Sequence, residues 1–184
     1  MPPANIALMT LPNFKYHPDP IASGAVTVSS TVCDCCGLCR GFEYSASFYT
    51  AHRPKPKLCP WCIASGEAAE KYNGQFSDDY PLRHAGVAAD VIREVCERTP
   101  GYNSWQQEIW QSHCGDACVF HGDAELVELR VLEGETLASI LRQGGMKMHH
   151  WLSLLERYQK GGNPAVYKFV CRSCHAPVYS LDYT

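Results

Sequence analysis

Cysteines carry most of the chemistry that can be read in this chain: eleven of its 184 residues, several of them in close pairs. Cys33-x2-Cys36 and Cys59-x2-Cys62 form two such pairs. Two thiolates three residues apart in a tight turn both reach one ion at about 2.3 Å, and a second such turn completes a tetrahedron. Gly37 stands where the first turn needs a positive φ, with backbone N–H groups directed at sulfur. These four cysteines are therefore expected to bind zinc. Cys35 and Cys39 crowd the same turn, and Cys36-x2-Cys39 is itself a pair; the position of Gly37 favours Cys33 with Cys36. A thiol redox role for Cys59-Pro60-Trp61-Cys62 at a helix start is the alternative, but no βαβ pattern surrounds it.

A second site is expected from Cys171-x2-Cys174 with Cys114-x3-Cys118, an accepted ligand spacing. His113, His121 and His175 stand in reserve. A histidine in place of one thiolate, or an open position, would allow catalysis by metal-bound water, with Glu108 or Asp116 assisting. Cys96 reads as a core residue. The deaminase pattern H-x-E with P-C-x-x-C, the protease pattern H-E-x-x-H and a phosphate-binding glycine loop are absent.

The elements that must position these groups follow from local pattern. Residues 1–24 are proline-rich and read as an extended arm on the surface, with a turn at Tyr16 to Pro20. Ala25 to Val32 and Phe42 to Tyr49 read as strands flanking the first pair. The middle is mostly helical: Ile63 to Tyr72, Val87 to Arg98, Trp105 to Gln111, Asp123 to Val131, Thr136 to Gln143 and Met146 to Lys160. Gly161-Gly162-Asn163-Pro164 stops the last helix. Strands Ala165 to Val170 and Val178 to Tyr183 then enclose the final cysteine pair.

Charge limits the function classes. The net charge is −3, without the basic surplus of a general nucleic-acid binder, although Arg53, Lys55 and Lys57 cluster between the halves of the first site. From Glu108 to Glu135 seven acids face one base, Arg130. That segment reads either as a solvated face or as a docking surface for a basic partner. Tyr102, Trp105, Glu108, Asp116, Asp123 and Glu125 are the candidate partner-binding residues, since Trp and Tyr concentrate in binding hot spots. No stretch reaches the length of a membrane span and no secretory leader is apparent. A cytoplasmic setting with reduced thiols is expected.

Several stretches resemble the CbrC-like family of bacteria: Leu11 to Pro20, Cys33 to Gly37, Leu58 to Ala64, Glu97 to Tyr102, Trp105 to Glu108, Ser112 to Asp116, and Cys171-x2-Cys174 with Leu181-Asp182-Tyr183. The resemblance covers nearly the whole chain. It departs at His175, where the family would have glycine. That family's association with tolerance to a DNase-type colicin implies an immunity-like role by direct binding of a basic nuclease toxin.

The resulting expectation is an α+β protein with an N-terminal zinc-ribbon-like β element, a helical middle and a C-terminal β-hairpin carrying the second cysteine pair. Its organisation is read as an N-terminal arm and zinc module over 1–72 and a mainly helical module over 73–184. A zinc enzyme using the second site, or a zinc-ribbon regulatory or nucleic-acid-binding module, is the alternative function.

Overall fold

The computed structural model describes residues 10–184, and the fold is α+β. Strands β1 (Val26–Val28) and β2 (Phe42–Tyr44) form an antiparallel pair around the first cysteine turn. Helices α1 (Pro60–Ala64) and α2 (Glu67–Tyr72) follow, then α3 (Tyr80–His84) and α4 (Ala89–Arg98). The expected single helix over 63–72 is broken at Gly66, which sits at φ +82° where L side chains are disfavoured.

A short hairpin, β3 (Ser112–His113) and β4 (Asp116–Ala117), leads into β5 (Val119–Asp123). Three helices come next: α5 (Leu126–Arg130), α6 (Gly134–Gln143) and α7 (Met148–Arg157). Strands β6 (Ala165–Val170) and β7 (Pro177–Asp182) close an antiparallel sheet of order β5-β6-β7.

That sheet is covered on both faces, and period-two alternation divides its side chains. Ala165, Tyr167 and Phe169 pack with Phe120, Tyr102, Trp110 and α4 on one face. Val166 and Tyr179 pack with Trp151, Leu154 and Leu155 of α7 and Ile140 of α6 on the other. The open edge of β7 is capped from α6: the Gln143 amide donates to Tyr179 O (3.0 Å) and accepts from Leu181 N (3.3 Å).

Three expectations are corrected. The segment 105–111 is not helical; it runs irregularly across the sheet, its backbone secured by tertiary bonds instead. Trp105 N donates to Asp182 Oδ2 (2.6 Å) and Ile109 N to Tyr102 OH (2.9 Å). Asp123 ends β5 rather than opening a helix, and Glu125 with Glu128 forms the capping box of α5, which starts at Leu126. The arm, where described, is no surface strap: Phe14, Tyr16 and His17 are buried. A carbonyl oxygen only accepts, so His17 Nδ1 donates to Pro100 O (2.8 Å) and Nε2 accepts from Ser23 Oγ (2.7 Å). The part of the expected arm before residue 10 lies outside the described residues.

Candidate metal centres

The first centre joins a β-turn to a helix start. Cys33 N donates to Leu38 O (3.0 Å) and Gly37 N to Cys33 O (2.8 Å), closing the turn with Gly37 at φ +72°. Cys59 is the N-cap of α1, Pro60 occupies its first turn, and Cys62 lies one turn on. The Sγ–Sγ separations are 3.8 Å for Cys33–Cys62, 3.9 Å for Cys36–Cys59 and 3.6 Å for Cys59–Cys62. A tetrahedral ion with metal–sulfur bonds of about 2.3 Å sets its thiolates about 3.8 Å apart. A disulfide needs about 2.05 Å, and all the cysteines are free. The four sulfurs therefore stand at the spacing of a metal tetrahedron.

The local field suits a thiolate. Cys33 is pulled down to about 4, first by the Cys59 side chain and then by backbone N–H groups of Cys36, Cys59 and Cys35. One of these bonds, Cys59 N to Cys33 Sγ, is 3.3 Å long. Cys59 and Cys62 are pushed up, Cys59 mainly by its hydrogen bond with Cys33 and Cys62 mainly by burial. Such a cluster holds one charge readily and four only around a cation.

The second centre has a different composition from the one expected. His113, Cys114, Cys171 and Cys174 bring their ligand atoms within 4.8 Å of one another. Cys114 Sγ lies 3.8 Å from Cys174 Sγ, and His113 Nδ1 lies 3.2 Å from Cys114 Sγ and 3.3 Å from Cys174 Sγ. Cys118 is not part of this group. It follows β4 on the face that turns inward with Phe120, is fully buried, and accepts the Trp110 indole N–H on its carbonyl (2.9 Å). Burial pushes its thiol up to about 12. His113 stands in its place because the β3–β4 hairpin turns over Cys114 (φ +52°) and Gly115 (φ +75°), the backbone of a type I′ turn. That turn presents positions 113 and 114 together at its tip. The Cys-Gly step is the sequence signal that would have found this.

The C-terminal half repeats the first turn bond for bond. Cys171 N donates to Ala176 O (2.9 Å) and His175 N to Cys171 O (3.0 Å), with His175 at φ +58° in the place of Gly37. His175 is thus a turn residue outside the ligand group, and its side chain is exposed. Cys171 is pulled down to about 6, first by the Cys174 backbone N–H.

An ion pair ties the halves together: Arg172, inside the last turn, meets Asp116, the cross-strand partner of His113, at 2.7 Å. Tyr16 OH donates to the other Asp116 oxygen (2.8 Å), bringing in the arm. Burial alone would raise Asp116, but the bonds from Tyr16 and Arg172 hold it below the usual carboxylate range. Burial and the bond to Asp116 push the Tyr16 phenol up.

These contacts correct the expected auxiliary groups. Both Asp116 oxygens are occupied. Glu108 is buried against Tyr49, whose OH donates to Oε2 (2.6 Å), and burial raises its carboxyl. Tyr102 is buried too, stacked on Phe120 at 4.3 Å between ring centroids. Glu108 and Tyr102 therefore belong to the interior, not to a docking face. Trp105 is exposed, with its indole N–H fixed on Gly162 O (2.9 Å). Trp105 and Asp123 line one cleft of about 320 Å3, together with Asn103, Ser104 and Gly161. The acids of 108–135 do not form a continuous bare face. Asp116, Glu125, Glu128 and Glu135 pair with Arg172, Lys160, Lys168 and Arg142, bases drawn from other parts of the chain.

Residues 11–183 match the model of an uncharacterised protein family, UPF0167. The chain belongs to the UPF0167 family. It is 52% identical over 175 residues to UPF0167 protein PA1536 of Pseudomonas aeruginosa, covering 95% of this chain and 98% of that protein. It is 33% identical over 178 residues to UPF0167 protein Mb2317 of Mycobacterium bovis, covering 94% of each. UPF0167 protein MT2352 of Mycobacterium tuberculosis gives the same figures. No solved structure matches. In this UPF0167 chain the family match contains every residue of both metal centres. No helix among the described residues is long and apolar enough to cross a membrane.

Proposed function

We propose that both centres hold zinc as closed structural sites, and that this UPF0167 protein is a non-catalytic binder that confers tolerance to a nuclease-type toxin. The observation that carries the first half is the ligand count. Each centre offers four protein atoms, three or four of them thiolate sulfur, at tetrahedral spacing. Sulfur-rich tetrahedra select zinc, and four protein ligands leave no position for a reacting water. Elemental analysis is expected to return two zinc ions per chain. The cobalt-substituted protein should show tetrahedral thiolate spectra without a water ligand; an exchangeable water on either ion would overturn the structural role.

With zinc as scaffold, function moves to the surface. The resemblance to the colicin-tolerance family supports a toxin as partner, and the net charge of −3 suits a basic one. Its docking point is the cleft of about 320 Å3 lined by Trp105 and Asp123, which pairs an indole with a carboxylate, the chemistry that receives a lysine or arginine side chain. The test is expression of the chain with basic DNase toxins in a sensitive host, and a binding measurement with each. Rescue together with direct binding, lost in W105A, is expected. No rescue and no binding across the panel would overturn the toxin reading.

A further inference from the structure

Next to the first centre stands a fifth thiol that neither centre uses. Cys35, between the two ligands of the turn, brings its sulfur within 4.8 Å of Cys62 Sγ and of a carboxylate oxygen of Glu67. Cys62 belongs to both groups. We propose that Cys35, Cys62 and Glu67 hold a further d10 divalent ion, zinc or cadmium, with Cys62 as a thiolate bridge to the ion of the first centre. This deepens the zinc reading and rests on it.

Three features carry the proposal. The first is placement. Lys71, one turn along α2 from Glu67, donates to Asp34 O and Cys35 O, each at 2.9 Å, and Tyr72 OH donates to Asp34 O at 2.8 Å. These bonds pin α2 onto the cysteine turn, so Glu67 faces Cys35 through fixed backbone rather than by the reach of a mobile side chain.

The second is chemistry. A thiolate bound to one ion keeps lone pairs for another, and soft d10 ions accept such bridges. A zinc held by four thiolates leaves its centre two negative charges in excess. A second divalent ion displaces the Cys35 proton to solvent and is then matched in charge by the Cys35 thiolate and Glu67, while it shares the bridging sulfur of an anionic cluster.

The third is access. Cys62 is buried, but Cys35 is half-buried and Glu67 exposed, so the new position opens to solvent while the first centre lies behind it. Three protein ligands leave a fourth position for water. The added ion is therefore exchangeable, unlike the closed pair. It gives the protein a capacity to take up and release zinc without unfolding.

Cadmium-113 NMR of the full chain tests this directly, with cadmium alone as the probe. The wild type is expected to bind three equivalents. Two resonances should show cadmium–cadmium coupling through the shared sulfur, and the third equivalent should leave first on titration with a chelator. C35S should bind two equivalents, with no coupling and the first-centre resonance kept. E67Q should weaken the third equivalent at least about tenfold. Two uncoupled equivalents in the wild type, or three retained in C35S, would overturn the third site while leaving the zinc reading intact. A chain that binds no cadmium at the four-thiol centre would overturn both.

Discussion

The arm residue His17 provides a sharp test of how the N-terminal segment is built in. The ring is buried at 1% exposure with one nitrogen donating to Pro100 O and the other accepting from Ser23 Oγ. Protonating Nε2 would reverse the Ser23 bond, turning that hydroxyl to Pro20 O, and would place a charge out of water. Burial accordingly lowers this histidine from 6.5 to about 4, with His121 adding repulsion and Pro100 O and Asp19 opposing it. The unfolded chain therefore takes up a proton that the folded chain refuses between these two values. Stability from this group is complete above about pH 6.5 and drains away as pH falls towards 4. At 1.36 kcal/mol per pH unit, the loss between pH 7.5 and 4.5 integrates to about 2.5 kcal/mol. The perturbation is H17Q, whose amide can donate to Pro100 O and accept from Ser23 but does not titrate. Urea unfolding of both proteins across that range, with zinc present, isolates the His17 contribution, because protonation of the clustered cysteines is common to the two. The stability advantage of wild type over H17Q should shrink by about 2.5 kcal/mol from pH 7.5 to 4.5. A difference constant within about 0.5 kcal/mol, or an imidazole titrating near 6.5 by NMR, would show that burial does not hold this ring neutral.

Further outcomes are expected. H175G should stabilise the zinc-loaded protein by about 0.5–1 kcal/mol, because glycine relieves a left-handed position at φ +58° and returns part of the gain as unfolded-state entropy; chemical denaturation reads this, and a loss of stability would show that the His175 side chain contributes contacts of its own. C118A should leave two zinc ions per chain at a cost of about 1 kcal/mol in stability. H113A should weaken the second ion more than about 100-fold in chelator competition, beyond the range for groups behind a ligand; the opposite ranking would restore Cys118 as the ligand. G101A should destabilise by about 4 kcal/mol or more, since its Cβ would lie 2.1 Å from Phe76 O, backbone that cannot step aside. Thermal melts would register that change as failure to fold at ordinary growth temperature.

What could be read in advance follows a physical division. Cys33, Cys36, Cys59 and Cys62 come together in the structure as their spacing requires, because each half-site is a local turn whose geometry is written in adjacent residues. Strand β6 matches its expected limits because Gly161 to Pro164 and Cys171 punctuate it. Helices α4, α6 and α7 follow the apolar period. The failures share the opposite cause. Nothing local tells Trp105 to Gln111 to forgo a helix; that choice is made by Asp182 and Tyr102, residues that meet it only in the folded chain. Glu108 read as surface because a lone glutamate usually is, and its partner Tyr49 lies 59 positions away. The acidic stretch reads as a solvated or docking face because the bases that pair with it, Lys160, Lys168 and Arg172, lie far along the chain. His113 takes the place of Cys118 because Cys118 is buried with Phe120, while the two-residue turn at Cys114-Gly115 carries His113 to the hairpin tip.

The two centres also differ in when they can exist. All four ligands of the first have been made once residue 62 is synthesised, whereas the second waits for Cys174. At about 5–20 residues per second the interval is roughly 6–20 s. During that time a nascent chain has all four sulfurs of its front end and an unfinished body, in which Tyr102, Trp110 and Phe120 still await Phe169 of the last sheet. The order of translation thus completes the front cysteine group before the aromatic interior has its closing strand. This chain's exposure to chaperones and to aggregation is concentrated in that window, and ribosome-bound fragments ending before and after Cys174 would differ most in the protection of those rings.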